Sequence, residues 1–344
     1  MYPNFWEHAP SISWPRYLWR EVTGSATQPS ILPESPQIPS TPVPSTTSYS
    51  VNPMTPSNVA EYCSFLETHF YPQSLTIRLK IPAPIFTTHL QNKSWIGVEV
   101  REKPSGRIIG CAVSKAAGYM ESTPIGIIDY LCIEPVWRKK GLFYVLLRTV
   151  YAYAVQAEGR GPHIFKKEGG LSLIPPLSMD FIIGRPIGSI HARAPAVVDV
   201  VPLGAKHWSD LIKAHKSRGT DILVFTKHNI NYETELSVAS YNGFHVIFKP
   251  TWEYKVGEKL GRAIVVGWYA EDSTIHEGEQ DNDIGQDYET IINHLPFDYM
   301  YAPSKFPHMT KVGHWSKEGT IGVYAVLIDP GKPFRRAVFS AVSA

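Results

Sequence analysis

Residues 127–159 read IIDYLCIEPVWRKKGLFYVLLRTVYAYAVQAEG and constrain the fold more than any other stretch. The run Ile127-Ile128-Asp129-Tyr130-Leu131-Cys132-Ile133 is apolar, β-branched and aromatic, which predicts a strand buried on both faces. Further on, Leu142, Val145, Leu146, Thr149, Val150 and Tyr153 recur at three- and four-residue spacings, which predicts an amphipathic helix. Between the two lies a basic turn, Arg138-Lys139-Lys140-Gly141. A strand, a cationic glycine turn and a helix N-terminus bring free backbone N–H groups and the positive end of a helix dipole to one point. Such a point suits an anion, and phosphate or pyrophosphate is its natural guest.

The flanking chain predicts α/β architecture on both sides. A helix is expected from Pro56-Ser57-Asn58 onward, with Val59, Tyr62, Cys63, Phe65, Leu66 and Phe70 on one face. Residues 94–100 read as a strand, 102–106 as a turn and 107–114 as the antiparallel return; a further strand-turn piece is expected over 169–176. The second half repeats this architecture without repeating its sequence. Helices are expected at 207–216 and 288–294, and strands at 222–225, 237–241, 245–248, 262–270, 298–302 and 320–327, with an Asn242-Gly243 turn. Residues 24–56 are dominated by Pro, Ser and Thr and are expected to be an extended or disordered tether. The acidic stretch 271–287 reads as a solvated insertion, since it has no EF-hand spacing. The expected organisation is an N-terminal segment at 1–23, a linker at 24–56, and two halves at 57–195 and 196–344.

Composition removes several function classes. With 344 residues the chain is comfortable for two domains, and a formal charge of +2 with dispersed basic residues argues against nucleic acid as a partner. Cys63, Cys111 and Cys132 show no CxxC spacing, so neither a disulfide framework nor a zinc site is indicated. No apolar run reaches the ~20 residues of a membrane span, and the N-terminus has no signal-peptide pattern, so a cytoplasmic protein is expected. G-x-S-x-G, Walker A and H-E-x-x-H motifs are missing, which leaves hydrolase, phosphotransferase and zinc-enzyme readings without support. His294, His308 and His314 are scattered candidates for a base, more simply read as packing residues, and Cys132 reads as a buried, inert thiol.

The block Arg138-Lys139-Lys140-Gly141-Leu142-Phe143 resembles the pyrophosphate loop of the acyl-CoA N-acyltransferases of the GNAT superfamily, with Phe143 where members usually carry Gly or Ala. Within that superfamily, Tyr130-Leu131-Cys132-Ile133 and Val145-Leu146-Leu147-Arg148 are similar to the glycylpeptide N-tetradecanoyltransferases, or N-myristoyltransferases, whose strand reads N-F-L-C-V. Phe5, Trp6 and Pro10 resemble that family's N-terminal Y-x-F-W-x-x-Q-P segment, with Tyr2 one residue further away and Ala9 in place of the Gln. The resemblance implies two tandem GNAT-like halves with mixed central sheets, the first binding acyl-CoA and the second the peptide. It implies transfer of a fatty acyl group, myristoyl above all, from acyl-CoA to the N-terminal glycine amine of a protein, by direct attack, with no metal and in a monomer.

By the same resemblance, Phe5, Trp6, Ile133, Arg138, Lys139, Lys140, Gly141, Leu142 and Phe143 bind the CoA. The backbone N–H groups of Tyr130 and Leu131 form an oxyanion hole for the thioester. The α-carboxylate of Ala344, ending the small apolar tail from Ala337, acts as general base. Two alternatives remain open on the residues: a short-chain GNAT acetyltransferase, or an inactive GNAT body serving as an interaction module. The second is kept open because Lys311-Val312-Gly313 is not followed by the family's G-x-G-D-G, and Met179-Asp180-Phe181 stands where the family has a Tyr-Trp-His run.

Overall fold

The computed structural model describes residues 30–31, 43–120, 123–168, 178–187, 197–217, 236–271, 281–303, 315–326 and 328–329. Phe5, Trp6, His308, His314, Lys311-Val312-Gly313, Ala344 and the strands expected at 169–176 and 222–225 lie outside them. Two compact units are distinguished: the first runs to Leu177 and takes back the chain from Val323, including the end of the strand Ser316–Val326, and the second begins at Ser178 and runs to Gly322 over its described residues.

The first unit contains helices α1 (Val59–His69), α2 (Ala83–Gln91) and α3 (Leu142–Glu158). Its strands are β1 (Ser30–Ile31), β2 (Tyr49–Pro53), β3 (Ile77–Leu79), β4 (Trp95–Glu102), β5 (Ile108–Met120), β6 (Thr123–Ile133) and β7 (His163–Glu168). Sheet order is β2-β4-β5-β6-β7, antiparallel throughout except for the parallel β6–β7 pair, which α3 connects. Strand alternation sends Val98, Val100, Ala112 and Ile128 toward α3, the β4–β5 bulge adds Ile109, and Leu142, Val145, Leu146 and Val150 meet them. Full burial of such side chains contributes about 1.5–3 kcal/mol each. Gly110 permits the approach, because a Cβ there would stand 3.1 Å from a Leu146 methyl. On the opposite face Phe86 of α2 packs against Tyr62 of α1 and against Trp95 and Tyr130. Helix α3 stops at Gly159, whose φ of 64° lets its N–H turn back to Val155 O.

The second unit follows the same plan. Its strands are β8 (Ser178–Pro186), β9 (Asp199–Pro202), β10 (Ser237–Tyr241), β11 (Phe244–Pro250), β12 (Glu253–Lys255), β13 (Arg262–Ala270) and β14 (Tyr299–Pro303), with helices α4 (Ala205–Ser217) and α5 (Asp281–His294). Its sheet order is β8-β14-β13-β11-β10-β9, and the parallel pair is again the one a helix connects, β13–α5–β14. Asn242 and Gly243 both take positive φ, 48° and 73°, and close the two-residue β10–β11 hairpin. Strand β15 (Ser316–Val326) follows, and β16 (Ile328–Asp329) pairs with β1 within the first unit.

Two expectations are corrected. The stretch 24–56 is not a free tether to its end: β2 pairs with β4 at the sheet edge, and Val43 and Tyr49 are buried in the core, 2% and 8% exposed. Among its apolar residues Val43, Tyr49 and Met54 are buried and Val51 packs against the core, and Thr149 Oγ accepts from the Val43 amide. Helix α5 begins at Asp281, inside the stretch read as a loop to residue 287. Acidic residues that look like a solvated insertion are favourable in a first helical turn.

Candidate acyl-CoA site

The turn between β6 and α3 is built by two left-handed residues. A short 3-10 turn, Pro135–Trp137, is followed by extended Arg138, then Lys139 at φ 61° and Gly141 at φ 83°. Gly141 is the residue the geometry requires, and no atom lies within 4 Å of where its Cβ would be. Helix α3 then starts without a side-chain cap; Tyr144 N–H, donating to Gly141 O, is the first amide with a helical acceptor, so those of Leu142 and Phe143 precede it. Two amides at the positive end of a 17-residue helix, beside cations and open space, form an anion seat.

The three cations of the turn are not equivalent. Lys139 and Lys140 are exposed, with Lys140 Nζ 4.9 Å from the Trp137 ring. Arg138 donates from Nε to Ile133 O at 2.9 Å and from Nη2 to His69 O at 3.2 Å, tying the end of β6 to the C-terminus of α1. Arg107 neutralises the acids nearby, pairing with Glu102 at 2.9 Å and Glu134 at 2.6 Å. The Leu142 side chain is 1% exposed and belongs to the core, so only its amide can meet a ligand. Phe143 packs edge-on against Tyr144 at 5.4 Å, at the rim of that core.

Along β6 toward its N-terminal end, the strand is bulged at the two residues assigned to the oxyanion hole. Cys132 pairs with Cys111 and Asp129 with Val113, so Tyr130 and Leu131 together oppose Ala112. Tyr130 takes a positive φ of 49° at the bulge. On the other side the β6–β7 register runs only from Gly126 to Ile128, so the two strands part just before the bulge. The Tyr130 amide donates to Asp129 Oδ1 at 2.7 Å.

Registers on both sides of β5 assemble a second group here. Trp95 of β4 pairs with Lys115 of β5, and Lys115 pairs with Ile127, which makes Asp129 its diagonal neighbour on β6. Lys115 Nζ meets Asp129 Oδ2 at 2.8 Å and stands 4.6 Å from the Trp95 ring centre and 4.0 Å from that of Tyr130. His89 of α2 stacks behind Trp95 at 4.5 Å, with its Nδ1 2.7 Å from Ser94 Oγ. The Lys115 side chain is 12% exposed and that of Asp129 40%. Sequence reasoning passed over this pair; its signal was a lone acid inside an otherwise apolar strand.

The remaining candidates among the described residues are accounted for by packing. Burial pushes the Cys132 thiol up to about 12, against a smaller opposing effect of Arg138, and holds Cys111 well above its usual range, so both are unreactive. His294 Nδ1 lies 2.6 Å from Thr290 O in its own helix. Among the described residues no three His, Cys, Asp or Glu side chains gather as a metal site, and no helix is long and apolar enough to cross a membrane. In the second unit the matching helix, α5, opens on Asp281-Asn282-Asp283 in place of a basic glycine turn. An anion seat is therefore a property of the first unit alone among these two helices.

No family model matches the sequence, and no curated protein matches it. Solved structures do. The chain is similar to Saccharomyces cerevisiae N-myristoyltransferase with bound myristoyl-CoA at a TM-score of 0.69 and 14% identity, over 96% of this chain and 93% of that one. A second structure of the yeast protein with myristoyl-CoA gives 0.66 and 13%, over 96% and 89%. A third, with myristoyl-CoA and inhibitors, gives 0.65 and 12%, over 96% and 91%. Identities this low speak for the fold alone. The fold is that of the N-myristoyltransferases, a mixed α/β chain with two GNAT-like halves.

Proposed function

We propose that this protein is a cytoplasmic N-acyltransferase that moves a fatty acyl group, myristoyl above all, from CoA to the N-terminal glycine amine of a protein. The observation that carries the reading is the conjunction, within one unit, of an anion seat and a bulged strand. The seat is made by the amides of Leu142 and Phe143 with Lys139 and Lys140; the bulge, at Tyr130 and Leu131, lies where β6 parts from β7. A CoA pyrophosphate at the seat would run its pantetheine along β6 and bring the thioester to the bulge. There the Tyr130 and Leu131 amides would bind the carbonyl oxygen as charge develops on it. Arg138 acts in this reading by fixing the turn through Ile133 O and His69 O. Phe5 and Trp6, by the resemblance, cover the CoA.

The attacking amine must lose a proton to a base. The resemblance offers the α-carboxylate of Ala344, outside the described residues. The reading is tested by mass spectrometry of a glycine-initiated peptide incubated with the protein and a mixture of acyl-CoAs. A long-chain amide at the N-terminus supports it, an acetyl product supports a short-chain transferase, and an unmodified peptide supports a non-catalytic body.

A further inference from the structure

We propose that the connection between β12 and β13 is a lipid-touching tip, through which the protein docks reversibly on an anionic membrane surface. The segment reads Lys255-Val256-Gly257-Glu258-Lys259-Leu260-Gly261-Arg262. Within this one short connection Val256 is 79% exposed and Leu260 54%. Single aliphatic side chains scattered over a surface are ordinary, but two at one turn ask for a partner.

The turn holds its own shape. Glu258 N–H donates to Lys255 O at 2.9 Å, and Gly257 takes φ 98° at the third position, as a type II turn requires, which places Val256 at the apex. Asp298 Oδ2 accepts from the amides of Lys259 at 2.7 Å, Leu260 at 2.6 Å and Gly261 at 3.2 Å. The N–H groups from Glu258 to Gly261 are thereby satisfied within the protein, which lowers the cost of moving the tip out of water. A tip fixed beforehand also loses little conformational freedom when it docks.

The charges choose the partner. Glu258 turns inward: its oxygens accept from Arg262 Nε at 3.1 and 3.0 Å and from Nη2 at 2.9 Å, and Oε2 accepts the Lys255 N–H at 2.7 Å. The two side chains are 14% and 6% exposed, so this pair cancels beneath the turn. Asp298 is engaged by the three amides. Lys255 and Lys259 are exposed, so the outward charge of the turn is positive, beside two aliphatic side chains. A convex tip of this kind matches a surface with hydrocarbon just beneath a negative layer. Val256 and Leu260 would enter the boundary between headgroups and acyl chains, and the lysines would meet lipid phosphates. A second copy of the chain docking through the same patch would set lysines against lysines.

The test is co-sedimentation of the full chain with phosphatidylcholine vesicles, with and without phosphatidylserine. Wild type is expected to bind the anionic vesicles roughly 10- to 30-fold more tightly than the neutral ones, the worth of two lysines near such a surface. About 0.5 M salt should remove that preference. Val256→Ser with Leu260→Ser should weaken binding to anionic vesicles roughly tenfold or more, and Lys255→Gln with Lys259→Gln should abolish the preference for anionic lipid. All four positions are exposed, so both variants should melt as wild type does. A wild type that leaves both kinds of vesicle alone overturns the proposal, and so does a serine variant that binds as wild type does. Self-association without vesicles, lost in the serine variant, would overturn it in favour of a second copy. Vesicle binding and acyl transfer are separate readouts, so the failure of either leaves the other standing.

Discussion

Replacing Lys139 and Lys140 together by alanine removes the two cations of the turn that have no structural duty. Both are exposed, and Lys140 Nζ lies 4.9 Å from the Trp137 ring. Substitutions at such surface positions change stability by no more than about 0.5 kcal/mol. If each lysine meets a CoA phosphate, the loss is that of two partly solvated charge-assisted contacts. These are worth more than an exposed ion pair and less than a buried one, about 1–2 kcal/mol in total, or a roughly 5- to 30-fold weaker dissociation constant. Arg138→Ala should behave in the opposite way. It breaks the bonds to Ile133 O and His69 O, which costs about 1 kcal/mol and lowers the melting temperature by about 2–4 °C. Calorimetric titration with CoA, paired with thermal melting of both variants, measures the two effects separately. Unchanged CoA affinity in the double lysine variant would refute the placement of the phosphates at this turn.

Two further outcomes follow from buried positions. His163 lies within 2.9 Å of Ser114 Oγ and 3.2 Å of Gly161 O, and burial pushes its pKa down to about 4. The unfolded chain protonates it near 6.5. The stability it contributes is therefore whole above that value and drains away as pH falls toward about 4, by about 2 kcal/mol between pH 7 and about pH 5. Urea denaturation at the two pH values should show this loss in wild type and not in His163→Gln; equal pH dependence in both would contradict it. Gly141→Ala should cost about 1 kcal/mol of stability from a left-handed alanine, since nothing within 4 Å opposes its methyl. It should also weaken CoA binding by more than that strain, because the methyl enters the seat itself; calorimetry showing full affinity would place the anion elsewhere.

The parts of the fold legible in the sequence are those set by local pattern. The β6 strand, the basic turn and α3 could be read because apolar periodicity and a glycine at a left-handed position are written in neighbouring residues. The Asn242-Gly243 hairpin was legible for the same reason. What escaped depends on register or on a partner far along the chain. The bulge at Tyr130 has no glycine or asparagine to announce it; a tyrosine takes φ 49° because strand pairing on both sides of it is already fixed. Lys115 and Asp129 become neighbours only once β5 and β6 are aligned. Arg138 was legible as a charge, but not as a clamp on two carbonyls, one of them His69 O in α1. Strand β2 was hidden because a Pro/Ser/Thr-rich composition outweighs a few well-placed apolar residues in any local count.

The most direct test of the account is a crystal structure of the protein with a non-hydrolysable myristoyl-CoA analogue. The account predicts the pyrophosphate on the Leu142 and Phe143 amides beside Lys139 and Lys140. It also predicts the carbonyl oxygen within about 3 Å of the Tyr130 and Leu131 nitrogens. An analogue bound away from α3, or a Tyr130 amide still occupied by Asp129 with the carbonyl oxygen elsewhere, would contradict it.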